Sequence, residues 1–183
     1  MRLTRNVCGK EAEMKKYNFY DSDWFLGGNG DVEYDIRGED FGKLLAICFR
    51  YSSCVAFCFR GFWQFQDVLS PFEIERPACV AEKDIPGGYV YFGPKLGEKQ
   101  SSHTRFYRIC PELYEALLSI SDSLFSWLNG RGHCNPEDPT FYREDGSVFF
   151  SSVIHEGECH LYLRDGEDAS EILGIPGWEE CTW

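Results

Sequence analysis

Histidine and methionine are scarce in this chain, four and two among 183 residues, and several familiar chemical signatures are missing altogether. No two cysteines stand in the C-x-x-C spacing of zinc knuckles or thioredoxin-like sites. No G-x-S-x-G elbow supports serine-hydrolase chemistry. Gly28 to Asp31 lacks the G-x-x-x-x-G-K-[ST] pattern of a phosphate loop and does not join a strand to a helix in the dinucleotide-binding manner. No apolar run approaches the roughly 18 residues that a membrane span needs. Met1 to Lys16 lacks an apolar core, so no secretory leader is expected. Basic residues are also few, 18 against 30 acidic, for a formal charge of −12. A chain of that sign repels phosphate backbones, so direct binding to nucleic acid is not expected.

What is present is a large stock of core material. The chain is 43% hydrophobic and 16% aromatic, enough for one packed domain that does not rely on disulfides. Its nine cysteines are odd in number, and Cys48, Cys54 and Cys58 lie among apolar neighbours, where a free thiol behaves as a small hydrophobe. Reduced thiols fit a cytoplasmic protein. Residues 1–16 carry five basic and two acidic residues without periodicity and read as a flexible basic arm, Met14 being an alternative natural start. Residues 17–183 then form a single α+β domain whose own charge is −15.

Gly27 to Asp31 is a strong turn signal, and the alternation of Val32, Tyr34 and Ile36 predicts a half-buried strand. Asp40 reads as the N-cap of a helix reaching about Tyr51, with Phe41, Leu44, Leu45 and Cys48 on its apolar stripe. Cys54 to Arg60 then reads as a buried strand, preferred over a longer helix because Val55, Phe57 and Phe59 suit a pleated surface. The aromatic cluster Phe62, Trp63 and Phe65 is followed by irregular sequence to Pro86. Tyr89 to Phe92 and His103 to Ile109 read as a hairpin joined by the polar loop Gly97 to Ser102. Pro111 opens a helix on which Leu113, Leu117, Ile120, Leu124 and Leu128 recur, with Asn129-Gly130 as its stop.

After a loop from Arg131 to Pro139, three strands are expected around acidic turns at Glu144-Asp145-Gly146 and Glu156-Gly157-Glu158. In the second of them Val148, Phe150, Ser152 and Ile154 face one way and Phe149, Val153 and His155 the other. Asp168 to Leu173 reads as one helical turn before a Pro176-Gly177-Trp178 tail. The expected architecture is a mostly antiparallel sheet with two helices packed on one face and a C-terminal three-stranded meander.

Three groups of side chains invite a functional reading. Asp21 and Asp23 offer two oxygen ligands, fewer than a hard cation takes. His133-Cys134 has nothing local that marks an activated thiol, so an incidental cysteine is the better reading. His155, Glu156 and His160 could supply acid–base chemistry, and His155, Cys159 and His160 a zinc site. Their spacing is not H-E-x-x-H, however, and most hairpin histidines bind nothing.

The strongest feature is charge. Residues 136–183 hold twelve acidic residues and two basic ones, Arg143 and Arg164. Asp165, Glu167, Asp168 and Glu171, with Trp178, Glu179 and Glu180, could form a patch around an aromatic anchor. An ordinary solvated face is the competing reading. These features point to a non-enzymatic inhibitor or immunity-type protein that blocks a basic partner such as a nuclease toxin, needing no cofactor. A small hydrolase or metal-dependent enzyme built on the histidine cluster is the alternative. An oligomeric structural component is a third.

Overall fold

A computed structural model of the chain describes residues 14–20, 35–60, 66–86, 90–92, 99–125 and 136–181. Among the described residues nine strands form one sheet, and every described strand pair is antiparallel. They are β1 (Met14–Tyr20), β2 (Cys54–Arg60), β3 (Glu73–Ile74), β4 (Val90–Phe92), β5 (Lys99–Arg108), β6 (Glu137–Tyr142), β7 (Val148–Val153), β8 (Glu158–Arg164) and β9 (Trp178–Cys181). The order across the sheet is β3-β5-β2-β6-β7-β8-β1-β9, with β4 also on β5. The helices are α1 (Glu39–Tyr51), α2 (Gln66–Leu69), α3 (Pro111–Ile120) and α4 (Ser170–Leu173). The chain is therefore α+β with an antiparallel sheet. No described helix is long and apolar enough to cross a membrane.

β2 lies centrally, and both of its faces are buried. Val55, Phe57 and Phe59 join the main core with Phe41, Leu44, Ile47 and Cys48 of α1 and Leu113 and Leu117 of α3. Cys54 and Ala56 face a smaller cluster with Val80, Phe106 and Tyr142. That second cluster lies under the irregular segment 73–86, which crosses the other side of the sheet. Tyr142 donates its hydroxyl to Asp84 O at 2.6 Å, fastening the segment there. Cys48, Cys54, Cys58 and Cys159 are buried free thiols.

Several expectations need correction. β1 begins at Met14, so the last three residues assigned to the basic arm belong to the sheet, paired with β8. The N-cap of α1 is Gly38, at φ 55, and Asp40 sits in the first turn, where it binds Lys43. β5 begins at Lys99, within the expected loop, and β6 takes in Glu137 and Asp138, also expected in a loop. α3 ends at Ile120 instead of reaching Leu128. Ser121 and Ser123 compete for the backbone there: Ser121 Oγ donates to Ser123 O and accepts from Ser123 N. Asp35 secures the exit by accepting from the Ser123 hydroxyl and from Phe125 N. Leu124 is buried, but in a non-helical segment where its N–H donates to Ile36 O.

β7 carries a bulge. Tyr142 pairs with Val148 and Phe141 with Phe150, leaving Phe149 as the extra residue. Phe149 and Phe150 therefore both enter the main core, where strict alternation would have sent them to opposite faces. The Val32–Tyr34 part of the expected strand, Gly27–Asp31, Asp21, Asp23, Phe62, Trp63, Phe65, Leu128–Gly130 and His133-Cys134 lie outside the described residues.

Candidate functional site

The turn after β8 is held from within. Arg143, 5% exposed, donates from Nε and Nη2 to the two Glu167 carboxylate oxygens at 2.7 and 2.6 Å. Its remaining donors reach Tyr162 O and Val148 O, both at 2.6 Å, and its guanidinium lies 5.1 Å from the Phe149 ring centroid. Burial pushes the Glu167 carboxyl up, but the Arg143 hydrogen bonds, the Arg164 N–H and the two arginine charges outweigh it and hold it below the ordinary range. Arg164 is engaged as well, through Asp145 at 2.7 Å. Hydrogen bonds from Ser147, with Arg164 beside them, pull Asp145 down to about 2.

Both basic residues of the acidic third are thus paired within the chain, Arg143 in the interior and Arg164 at the surface. Glu167 was expected on the partner-facing patch and is instead a structural counter-ion. Asp165, Asp168 and Glu171 remain exposed. Asp168 accepts from Ser170 N, which lowers its carboxyl and opens α4, while its own N–H donates to Tyr51 Oη on α1. The turn is therefore a rigid platform for its carboxylates.

Trp178 is not the exposed anchor expected of it. Its ring packs edge-on against Phe19 at 5.4 Å as part of β9, a strand the sequence reading treated as a tail. β9 pairs with β1, placing Glu180 opposite Tyr17, whose hydroxyl donates to it at 3.2 Å, and 3.7 Å from Lys15 Nζ. Lys15 and Tyr17 also line a depression of about 290 Å³ bordered by Arg164–Ser170 and Leu173. Asp165 and Asp168 consequently rim one hollow that Lys15 and Arg164 also line, with Glu180 beside it on Lys15 and Tyr17 and exposed Glu179 on the adjoining sheet edge. Sequence spacing gave no hint of this because strand pairing, over 160 residues of chain, brings Glu180 to it.

The histidine cluster separates. Cys159 is fully buried in the main core, and burial pushes its thiol well up. His160, its neighbour on β8, points to the opposite face, so the two cannot share an ion. Glu156 is exposed, and the side chain of His155 lies outside the described residues. His160 Nδ1 is 2.8 Å from Asn18 Oδ1, and Nε2 is 3.3 Å from Glu158 Oε1. Burial, helped by Lys16, lowers its pKa to about 4 despite the Glu158 contact, which favours the cation. A lowered pKa favours the neutral imidazole, whose single N–H can donate to only one of these two oxygens. Its folded pKa lies below the ordinary 6.5, so stability is expected to fall as pH drops from about 6.5 towards 4, where only the unfolded chain takes the proton. Urea unfolding across that range should show the loss, and His160→Gln should flatten it.

No protein-family model matches the chain, and neither a curated protein nor a solved structure matches it.

Proposed function

We propose that this chain is a non-enzymatic acidic binding protein, an inhibitor of immunity type that blocks a basic partner in the cytoplasm, such as a nuclease toxin or a nucleic-acid-binding effector. The observation that carries the reading is the pair of carboxylates Asp165 and Asp168 on the rim of one hollow, beside Glu180 and exposed Glu171 and Glu179. Among the cations beside it, Arg143 is taken up by Glu167, Arg164 by Asp145 and Lys15 by Glu180. A lysine or arginine of the partner enters the hollow with its charge against the rim and its stem on Tyr17, Leu163 and Leu173. Charge complementarity of this kind speeds encounter and sets register. In this reading α1 and α3 back one face of the sheet, and β6, β7 and β8 act as a three-stranded meander that keeps the rim rigid.

Affinity capture from the source lysate at low and moderate salt tests it. One stoichiometric basic partner is expected, retained less well at the higher salt. Reversing Asp165, Asp168 and Glu171 together to lysine should weaken capture by at least about tenfold. A partner held equally by the reversed variant, with unchanged salt dependence, would sink the reading.

A further inference from the structure

The sheet ends at β9, a strand of four residues bonded along one side to β1. Trp178 lies opposite Phe19, Glu179 opposite Asn18, Glu180 opposite Tyr17 and Cys181 opposite Lys16. In an antiparallel ladder alternate residues send their N–H and C=O to opposite sides, so alternate residues of β9 turn these groups away from β1. Among the described residues no strand takes them. At the other end of the sheet, β3 has two residues only. The β9 edge is also held in shape. Trp178 packs on Phe19, and Tyr17 donates to Glu180. Gly177, at φ 110, lies so close to the Phe19 ring that an added Cβ would stand 2.7 Å from it. A strand arriving there joins an edge that is already ordered.

The side chains decide what kind of strand fits. Neighbours along a strand point to opposite faces, which places Glu180 on the core face with Tyr17 and Glu179 on the other face with Asn18. Both are exposed, so the edge presents one carboxylate on each face. The cations beside them, Lys15 and Lys16, belong to β1. Strands lie about 4.8 Å apart, so a chain added to β9 meets Glu179 and Glu180 first and the lysine backbone one strand further back. Lys15 stands 3.7 Å from Glu180, with the two side chains 60% and 48% exposed. A solvated pair of this kind is weak, and a carboxylate accepts from more than one donor. A second copy of the chain is a poor occupant. Each copy carries −12, and an antiparallel pairing of two β9 strands about Glu179 or Glu180 sets carboxylate against carboxylate. Such an edge resists self-pairing and favours a basic strand on both faces.

We propose that β9 is a strand-addition site for an extended basic segment of the partner, one with two consecutive lysines or arginines. The two side chains fall on opposite faces of the enlarged sheet, one against Glu179 and one against Glu180. The main chain adds hydrogen bonds to the open edge. This is the mode by which the acidic binding protein proposed above holds its partner, and it rests on that reading for the partner's charge.

The test is amide hydrogen exchange of the full chain, followed by NMR, with a capped hexapeptide that carries a central lysine pair between valine and threonine residues. Bound as a strand, the peptide should slow exchange of alternate amides in Trp178–Cys181 at least about tenfold, which a contact between charges alone would not do. The same peptide with a glutamate pair should bind at least about tenfold more weakly. A backbone N-methylated lysine peptide keeps the charge but lacks the donors, and should leave β9 exchange unchanged. Glu179→Gln with Glu180→Gln should weaken the lysine peptide at least about threefold. The lysine variant of Asp165, Asp168 and Glu171 should keep the β9 protection. Shifts confined to the turn 165–170, equal protection by the glutamate peptide, or no protection overturns strand addition. A partner captured through the acidic rim with β9 exchange unchanged in the complex also overturns it, and leaves the inhibitor reading in place. Failed capture with β9 still protected by the lysine peptide does the reverse.

Discussion

Replacing Arg143 with methionine is expected to destabilise the fold by about 3–5 kcal/mol, read as a fall in urea midpoint at neutral pH. The size follows from what the substitution strands. Glu167 would lose both guanidinium bonds while its side chain stays 13% exposed, and Tyr162 O and Val148 O would each lose a donor at 2.6 Å. An uncompensated buried charge costs more than the ion pair itself contributes. Glu167→Met alone should therefore also be costly, while the double replacement should recover much of the loss, giving a strongly non-additive cycle. Additive losses would mean that the two side chains are not coupled. Glu167 also gives the pair a pH signature. Its folded pKa is lowered, so its contribution is present above the ordinary carboxylate range and lost as pH falls through the folded value. The double variant should lack that part of the acid sensitivity.

Gly146→Ala is the second large effect, expected at about 2–5 kcal/mol. Gly146 has φ 84, where an L side chain is strained, and an added Cβ would lie 2.1 Å from Cys79 O and 2.4 Å from Cys79 C. These are backbone atoms, so no side chain can swing aside. Either the turn between β6 and β7 or the 73–86 segment must move. The segment is the weaker partner, since much of it is exposed and irregular. Its displacement should open a cleft beneath Lys83–Pro86. Thermal unfolding would give the stability loss, and protease cleavage near Cys79 would report the lifted segment. A variant with unchanged melting and cleavage would show that the turn relaxes freely.

Local pattern carried the elements whose burial is regular. Val55, Phe57 and Phe59 alternate in β2, and Phe41, Leu44, Leu45 and Cys48 recur in α1, because pleat and helix periods repeat within a few residues. The same reasoning overran at α3. Leu124 continues the apolar spacing and is buried, yet Asp35, far away in the chain, holds the Ser123–Phe125 segment out of the helix. Phe149 departs from alternation because a bulge, a property of two paired strands, turns it into the core.

The carboxylates show the same division. Composition by itself determined that this chain is strongly acidic and rich in aromatic core material, and the order of its local patterns that it is α+β in class. Which acids face solvent was decided only by the tertiary structure. Glu167 is consumed by Arg143, Glu137 and Asp138 are buried on β6, and Glu180 is brought to Lys15 and Tyr17 through the pairing of β9 with β1. Charge is additive along a sequence, whereas burial and pairing depend on partners brought from elsewhere in the chain. Cys159 and His160, adjacent in sequence, end on opposite faces of the sheet for the same reason: the pleat separates neighbours, and packing against the core selects which of them is buried.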